Sequence, residues 1–88
     1  MNNPKVTLSN MPNIGLALAQ KLSQAGISTP AHLIEAGTEN AFIRLRTIDE
    51  TACINMLYAL EGAIQGIRWH NLSKSRKEEL RDFFNSIS

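Results

Sequence analysis

Cysteine is almost missing from this chain: Cys53 stands alone, so no internal disulfide can form, and a reducing compartment suits the sequence. Long apolar runs are missing too. Met1 is followed by the polar Asn2-Asn3-Pro4-Lys5, without the apolar segment of a signal peptide, and nothing later is long enough to span a bilayer. These absences point to a cytoplasmic protein with no membrane partner. An excess of one charge is also lacking. Nine Lys/Arg face eight Asp/Glu, a formal net charge of +1, so a nucleic-acid binder with this balance has to gather its cations on one face. Strand alternation, low-complexity tracts and a fixed-period repeat do not occur. His32 and His70 lie far apart with no second His or Cys at ligand spacing, which argues against a metal site. No nucleophile is marked by a neighbouring base, and the glycines come singly after helices rather than in a phosphate-binding loop. The sequence is therefore not read as an enzyme, and no cofactor is expected.

What is present is helical. The chain has 88 residues, 43% of them hydrophobic and 19% charged, enough for one folded domain over 1–88 with a single core, residues 1–5 being frayed. Residues 8–27, LSNMPNIGLALAQKLSQAGI, organise the rest. A single turn over 6–10 leads into Pro12-Asn13-Ile14-Gly15. Pro12 presets φ, Asn13 tolerates a left-handed backbone, and Gly15 carries no Cβ where the next helix begins. Leu18, Leu22 and Ala25 then fall at i, i+4, i+7, and Gly26 sits where a helix-ending glycine belongs, with Ile27 placed for the accompanying hydrophobic contact. The pattern resembles a helix-hairpin-helix element, whose turn points backbone N–H groups outward and can bind phosphate. Its usual first turn glycine is Asn13 here, and Leu16 and Ala17 stand where a lysine often does; the nearest cation is Lys21. The hairpin either contacts phosphate through Pro12, Asn13, Ile14, Gly15 and Lys21, or only joins core helices and packs against protein.

Short helices with their own stop signals follow. Thr29-Pro30 reads as N-cap and first helical residue of 30–36, burying Leu33 and Ile34 and ending at Gly37. Thr38 caps a helix over 39–46 with Phe42, Ile43 and Leu45 apolar, and Thr47 or Asp49 caps the next. The longest helix, over 50–65, places Cys53, Met56, Leu57, Leu60, Ala63 and Ile64 on a core face. Asn55, Tyr58, Gly62 and Gln65 form a strip on its other side. Gly62 costs a helix interior about 1 kcal/mol relative to Ala, so it marks close approach of another backbone, either within the chain or from a partner or second copy anchored on Tyr58. Glu61, at the border of the core face, pairs with an arginine such as Arg44, Arg46 or Arg68. Trp69 plugs the core edge, and Ser73 or Ser75 caps the last helix, Ser75 with Glu78 as a capping box. There Leu80, Phe83, Phe84 and Ile87 make the buried stripe, with Lys74, Lys77 and Arg81 along one edge as either a solvated flank or a basic contact.

The order Asn10-Met11-Pro12-Asn13-Ile14-Gly15, then Ala25-Gly26-Ile27, then Asn55-Met56-Leu57-Tyr58-Ala59-Leu60-Glu61-Gly62-Ala63-Ile64-Gln65-Gly66 with Trp69, resembles the C-terminal domain of TfoX-type competence regulators. That family reads approximately LPNIG…AGI…NLLYALEGAxxGxxW, and Asn13 is its normal residue. The resemblance implies an all-α fold, a compact bundle of five to six short helices of helix-hairpin-helix (SAM-like) type, and a link to natural transformation. Full-length members carry a separate N-terminal α/β domain with no counterpart in this sequence. The expected function is a non-catalytic module working through a protein partner in a transformation- or transcription-related setting. Direct nucleic-acid binding through the hairpin, and a homodimer built on the glycine-bearing face, are the alternatives.

Overall fold

The computed structural model describes residues 7–87; the frayed segment expected at 1–5 lies outside them. Among the described residues there is no strand. A 3-10 turn, Leu8–Asn10, is followed by α1 (Leu16–Gln24), α2 (Pro30–Ala36), α3 (Thr38–Ile48) and α4 (Ile54–Gln65), then a second 3-10 turn, Trp69–Asn71, and α5 (Lys74–Ile87). The all-α expectation holds. None of these helices is long and apolar enough to cross a membrane.

α4 is the hub. It packs against α2, α3, α5 and the Trp69–Asn71 turn. Residues 57–63 are buried without interruption, and seven consecutive residues wind almost twice round a helix axis, so this stretch of the helix is covered on every side. The core it anchors includes Leu22 and Ile27 from α1 and its exit, Leu33 from α2, Phe42 and Leu45 from α3, and Leu80 from α5. Phe42 and Phe84 meet with ring centroids 5.9 Å apart, and the Arg46 guanidinium lies 5.8 and 5.5 Å from the two rings, fastening α3 to α5.

Several helix ends follow the sequence signals. The exit of α1 has both bonds of the glycine-ended motif, Gly26 N–H to Ser23 O at 3.0 Å and Ile27 N–H to Leu22 O at 2.8 Å, with Leu22 and Ile27 fully buried. Thr29 Oγ1 accepts the His32 N–H at 3.1 Å, with Pro30 in the first turn. Ser73, not Ser75, caps α5: its Oγ accepts the Arg76 N–H at 3.1 Å.

Other expectations are corrected. Thr38 is not a cap but the first residue of α3, because Gly37 (φ 81°, ψ 162°) is the N-cap and the Thr38 hydroxyl is needed elsewhere. The long helix starts at Ile54 rather than near residue 50. Asp49 turns the chain on itself, accepting from the Thr51 N–H at 2.9 Å, and Ala52 N–H bonds to Asp49 O at 3.1 Å. Cys53 becomes the N-cap of α4 and is exposed, not in the core. Ile34 and Ile43 are exposed as well, since α2 and α3 each bury a narrower face than their apolar residues suggest.

The backbone separates two glycines that look alike in sequence. Gly15 has φ −90° and ψ −178°, values any residue adopts, and an added Cβ meets nothing within 4 Å. Gly37 also has open space around it, yet its φ, ψ pair is one that only glycine populates readily. Gly15→Ser, which adds a capping hydroxyl, should raise stability by up to about 1 kcal/mol. Gly37→Ala should lower it by about 1–3 kcal/mol. Urea unfolding of the two variants checks this, and equal shifts of the same sign would contradict it.

Candidate functional site

The segment Met11-Pro12-Asn13-Ile14 makes a tight turn, with Ile14 N–H on Met11 O at 3.4 Å. Pro12 at its second position and Asn13 at φ 70° at its third are the signature of a type II turn. Asn13 is the only described non-glycine residue with positive φ. Its side chain does not face solvent. Nδ2 donates to Ile67 O at 2.9 Å and more weakly to Ala59 O at 3.4 Å, while Oδ1 accepts the Trp69 N–H at 3.1 Å. One carboxamide thus joins the hairpin turn, the body of α4 and the segment that follows it.

Gly62 makes room for this arrangement. A Cβ there would lie 2.5 Å from Asn13 Nδ2, 2.8 Å from Ile67 O and 3.1 Å from Trp69 Cα. The close approach expected at Gly62 is therefore real, and the approaching backbone belongs to the same chain. Tyr58 and Gly62 are buried, with Tyr58 stacked on Trp69 at 5.6 Å between centroids. Only Asn55 and Gln65 of the proposed strip are exposed, and Gln65 Nε2 donates to Glu61 Oε2 at 2.5 Å. The centre of the strip is thus internal, covered by the hairpin and residues 67–69.

Lys21 is also engaged. Its Nζ sits 2.6 Å from Asp49 Oδ2, tying α1 to the end of α3. The hydrogen bond from Lys21, then those from the Thr51 hydroxyl and N–H, pull the Asp49 carboxyl from an ordinary 3.8 to about 2. Of the residues proposed for phosphate contact, Asn13 and Lys21 face internal partners, Ile14 is buried and Pro12 half-buried, leaving Gly15 exposed.

Glu61 is the buried carboxylate the sequence points to, but its partner is Arg76, not Arg44, Arg46 or Arg68. Arg76 Nη2 lies 2.9 Å from Glu61 Oε1 and 3.1 Å from Glu39 Oε2, and Nη1 lies 3.1 Å from Glu79 Oε1. Thr38 Oγ1 donates to Glu61 Oε1 at 2.7 Å. Burial pushes the Glu61 carboxyl up, and hydrogen bonds from Arg76, Gln65 and Thr38 together outweigh it, leaving it below its ordinary 4.5. The bond to Glu61 in turn raises the Arg76 guanidinium further. Nothing in the local sequence announces this network, since it closes only when α3, α4 and α5 meet.

The basic edge of α5 stands beside a ring stack the sequence does not foretell. His70 stacks on Trp69 at 4.0 Å. Lys77 Nζ is 5.6 Å from the Trp69 ring centre and 3.5 Å from His70 O. Arg81 Nη2 lies 3.5 Å from Tyr58 Oη, while Lys74 is exposed. The adjacent Trp69-His70 pair is the one signal that could have found it. Among the described residues no group of three or more His, Cys, Asp or Glu is placed to hold a metal ion.

Asn13→Gly keeps the left-handed backbone but strands Ile67 O and the Trp69 N–H, and should cost about 2–4 kcal/mol in urea unfolding. Gly62→Ala gains about 1 kcal/mol of helix propensity and should still be a net loss, because overpacking of this kind costs about 1–3 kcal/mol. The double variant should lose less than the sum of the two, since Nδ2 is one of the colliding atoms; strict additivity would sever the link between them. For acid, both the Asp49 and Glu61 carboxyls lie below their ordinary values, so the unfolded chain binds more protons and stability rises with pH. Their contribution is complete above the ordinary carboxyl range and fades as pH falls through it, for Asp49 down to about 2. Urea midpoints measured between about pH 5 and pH 2 should fall with acid, and Asp49→Asn should flatten the lower part of that fall. An unchanged profile would remove Asp49 from the account.

Comparison with known proteins places this geometry. A family model of the TfoX C-terminal domain matches residues 4–84. Protein Sxy of Escherichia coli (strain K12) is 30% identical over 86 residues, covering 98% of this chain and 41% of that protein. The DNA transformation protein TfoX of Haemophilus influenzae is 30% identical over 80 residues, covering 91% and 37%. The chain thus spans about two fifths of the length of these curated relatives. An uncharacterized protein from Listeria monocytogenes, solved in a triclinic form, is 49% identical with a TM-score of 0.90, covering 92% of each chain. A protein of unknown function from the same organism, solved in a tetragonal form, is 49% identical with a TM-score of 0.88, covering 91% of this chain and 99% of that one. Asn13, Gly62 and Trp69, which hold one another in place here, lie within the stretch that the family model spans: the chain belongs to the TfoX C-terminal domain family.

Proposed function

We propose that this chain is a non-catalytic, cytoplasmic helical module that acts by protein–protein contact in the regulation of DNA transformation or of related transcription. The setting is supported by the relative named a DNA transformation protein, and the mode of action by the surface. The carrying observation is Leu16, 73% exposed at the first position of α1, where Gly15 supplies no side-chain cap. A large aliphatic side chain beside backbone N–H groups that lack a capping side chain offers apolar contact and hydrogen-bond donors together, which suits a protein partner. Ile34, Ile43 and Ile48 are further large aliphatics left exposed on α2 and α3. The non-catalytic reading is supported by the use of the polar groups, since Asn13, Glu61 and Arg76 are all engaged in holding helices together. The partner surface is accordingly the α1 entrance, in place of the covered strip around Tyr58.

A photo-crosslinking residue placed at position 16 in cells should capture a discrete protein, identified by mass spectrometry, that the same residue at the exposed Asn85 does not. Leu16→Glu, with unchanged helical circular dichroism, should abolish capture from a neighbouring crosslinker at position 17. Equal capture from positions 16 and 85, or capture only of further copies of this chain, would overturn the reading.

A further inference from the structure

We propose that the surface formed by His70 and the basic edge of α5 binds single-stranded nucleic acid. A base would stack on the outer face of the His70 ring, and backbone phosphates would lie on Lys74, Lys77 and Arg81. The residues of this site differ from those of the hairpin turn and from Leu16.

The first observation is a ladder of three rings that starts in the core and ends in solvent. Tyr58 is buried, Trp69 half-buried and His70 exposed. Centroid spacings are 5.6 and 4.0 Å, and each pair is tilted by the same 24°. Tyr58 belongs to the enclosed part of α4, and the Trp69 backbone is held by Asn13. The outermost ring is therefore supported from below, so a further ring added to the stack meets a platform that is already ordered.

The second observation is charge. Lys74, Lys77 and Arg81 fall at i, i+3 and i+7 on one edge of α5, over about 10 Å of helix axis. Lys77 and Arg81 reach the ladder itself, at Trp69 and Tyr58. Among the described residues none of the three cations is in an ion pair, whereas Lys21 and Arg76 are. Glu78 stands one turn on from Lys74 and three residues before Arg81, so a carboxylate borders this edge on its Lys74 side. A net charge of +1 thus conceals three cations along one edge of α5 that no ion pair among the described residues neutralises.

The combination selects the ligand. Cations alone would suit any anion, but a supported ring with an open face beside them matches a base next to its phosphate. In a duplex the base faces are already stacked on one another, so a single strand fits and a duplex does not. An acidic peptide satisfies the cations and leaves the ring unused.

Trp69 is the only tryptophan of the chain and is the middle rung, so its fluorescence reports on the site directly. Titration with a short oligothymidine at low salt should quench it saturably. The affinity should fall with salt at a log–log slope of about −2, the value for about three phosphate contacts on a single strand. Lys77→Glu with Arg81→Glu should weaken binding at least about tenfold and flatten that slope. His70→Ala should weaken binding at least about fivefold and leave the slope unchanged, because stacking releases no counterions, while His70→Tyr should retain affinity. His70 is exposed, so these variants test the ring face without unfolding the domain. The proposal fails if quenching is absent, if a duplex or polyglutamate quenches equally, or if His70→Ala binds as the parent does. It also fails if backbone amide shifts in a parallel nuclear magnetic resonance titration are confined to residues 15–18, which would place the strand on the hairpin instead.

Discussion

The Asn13 carboxamide holds the α4 end of this domain together. It makes three hydrogen bonds, to a carbonyl inside α4, to a carbonyl just past its end, and to the N–H that opens the Trp69–Asn71 turn. Each constraint implies the next. The amide can reach these groups only because the backbone at Asn13 is left-handed, and it can fit only because Gly62 leaves a gap. With residue 69 fixed, the indole lies on Tyr58 of the central helix. A second polar tie, Arg76 between Glu61, Glu39 and Glu79, holds α3, α4 and α5 together elsewhere in the bundle. It involves a buried carboxylate, so its value is as much in fixing which helices meet as in net stability.

Much of this fold was legible because its signals are local. The Thr29-Pro30 start, the Ala25-Gly26-Ile27 stop and the left-handed tolerance of Asn13 each depend on residues within a turn of one another, and each appears as read. The close approach at Gly62 was legible too, from the cost of a glycine inside a helix. What approaches was not, because Asn13 lies about fifty residues away and an asparagine in a turn ordinarily faces its own backbone. The same limit explains Thr38. Its capping chemistry is sound, but a buried carboxylate on another helix competes for the hydroxyl and wins. Periodicity alone puts the start of α4 too early, because Asp49 and Thr51 make a turn that it does not register. The place of Cys53 follows from the same turn: with the helix beginning at Ile54, its thiol sits at the edge rather than on the core face.

The site residues divide along the same line. Among the residues singled out at the hairpin and along the α4 strip, Asn13, Lys21, Tyr58 and Gly62 lie at close contacts within the chain: an unusual residue at a close contact marks the contact, whether or not a ligand is involved. The surface groups left for interaction are less conspicuous in sequence, an isoleucine or leucine on a helix flank and a histidine beside a tryptophan. Charge behaves alike. Internal pairing of Lys21 and Arg76 leaves an uneven distribution of the remaining cations that the total cannot reveal.

The Asn13 bonds join residues 46 to 56 positions apart in the chain. Closing a loop of that size costs entropy before any bond is gained, so such contacts tend to form late in folding, after the local helices have condensed around α4. Interactions completed after the rate-limiting step act mainly on the rate of unfolding. The turn that opens the motif is then a latch, setting how long the folded domain persists more than how fast it forms, and an isolated peptide spanning the hairpin would lack the partners that give the turn its shape.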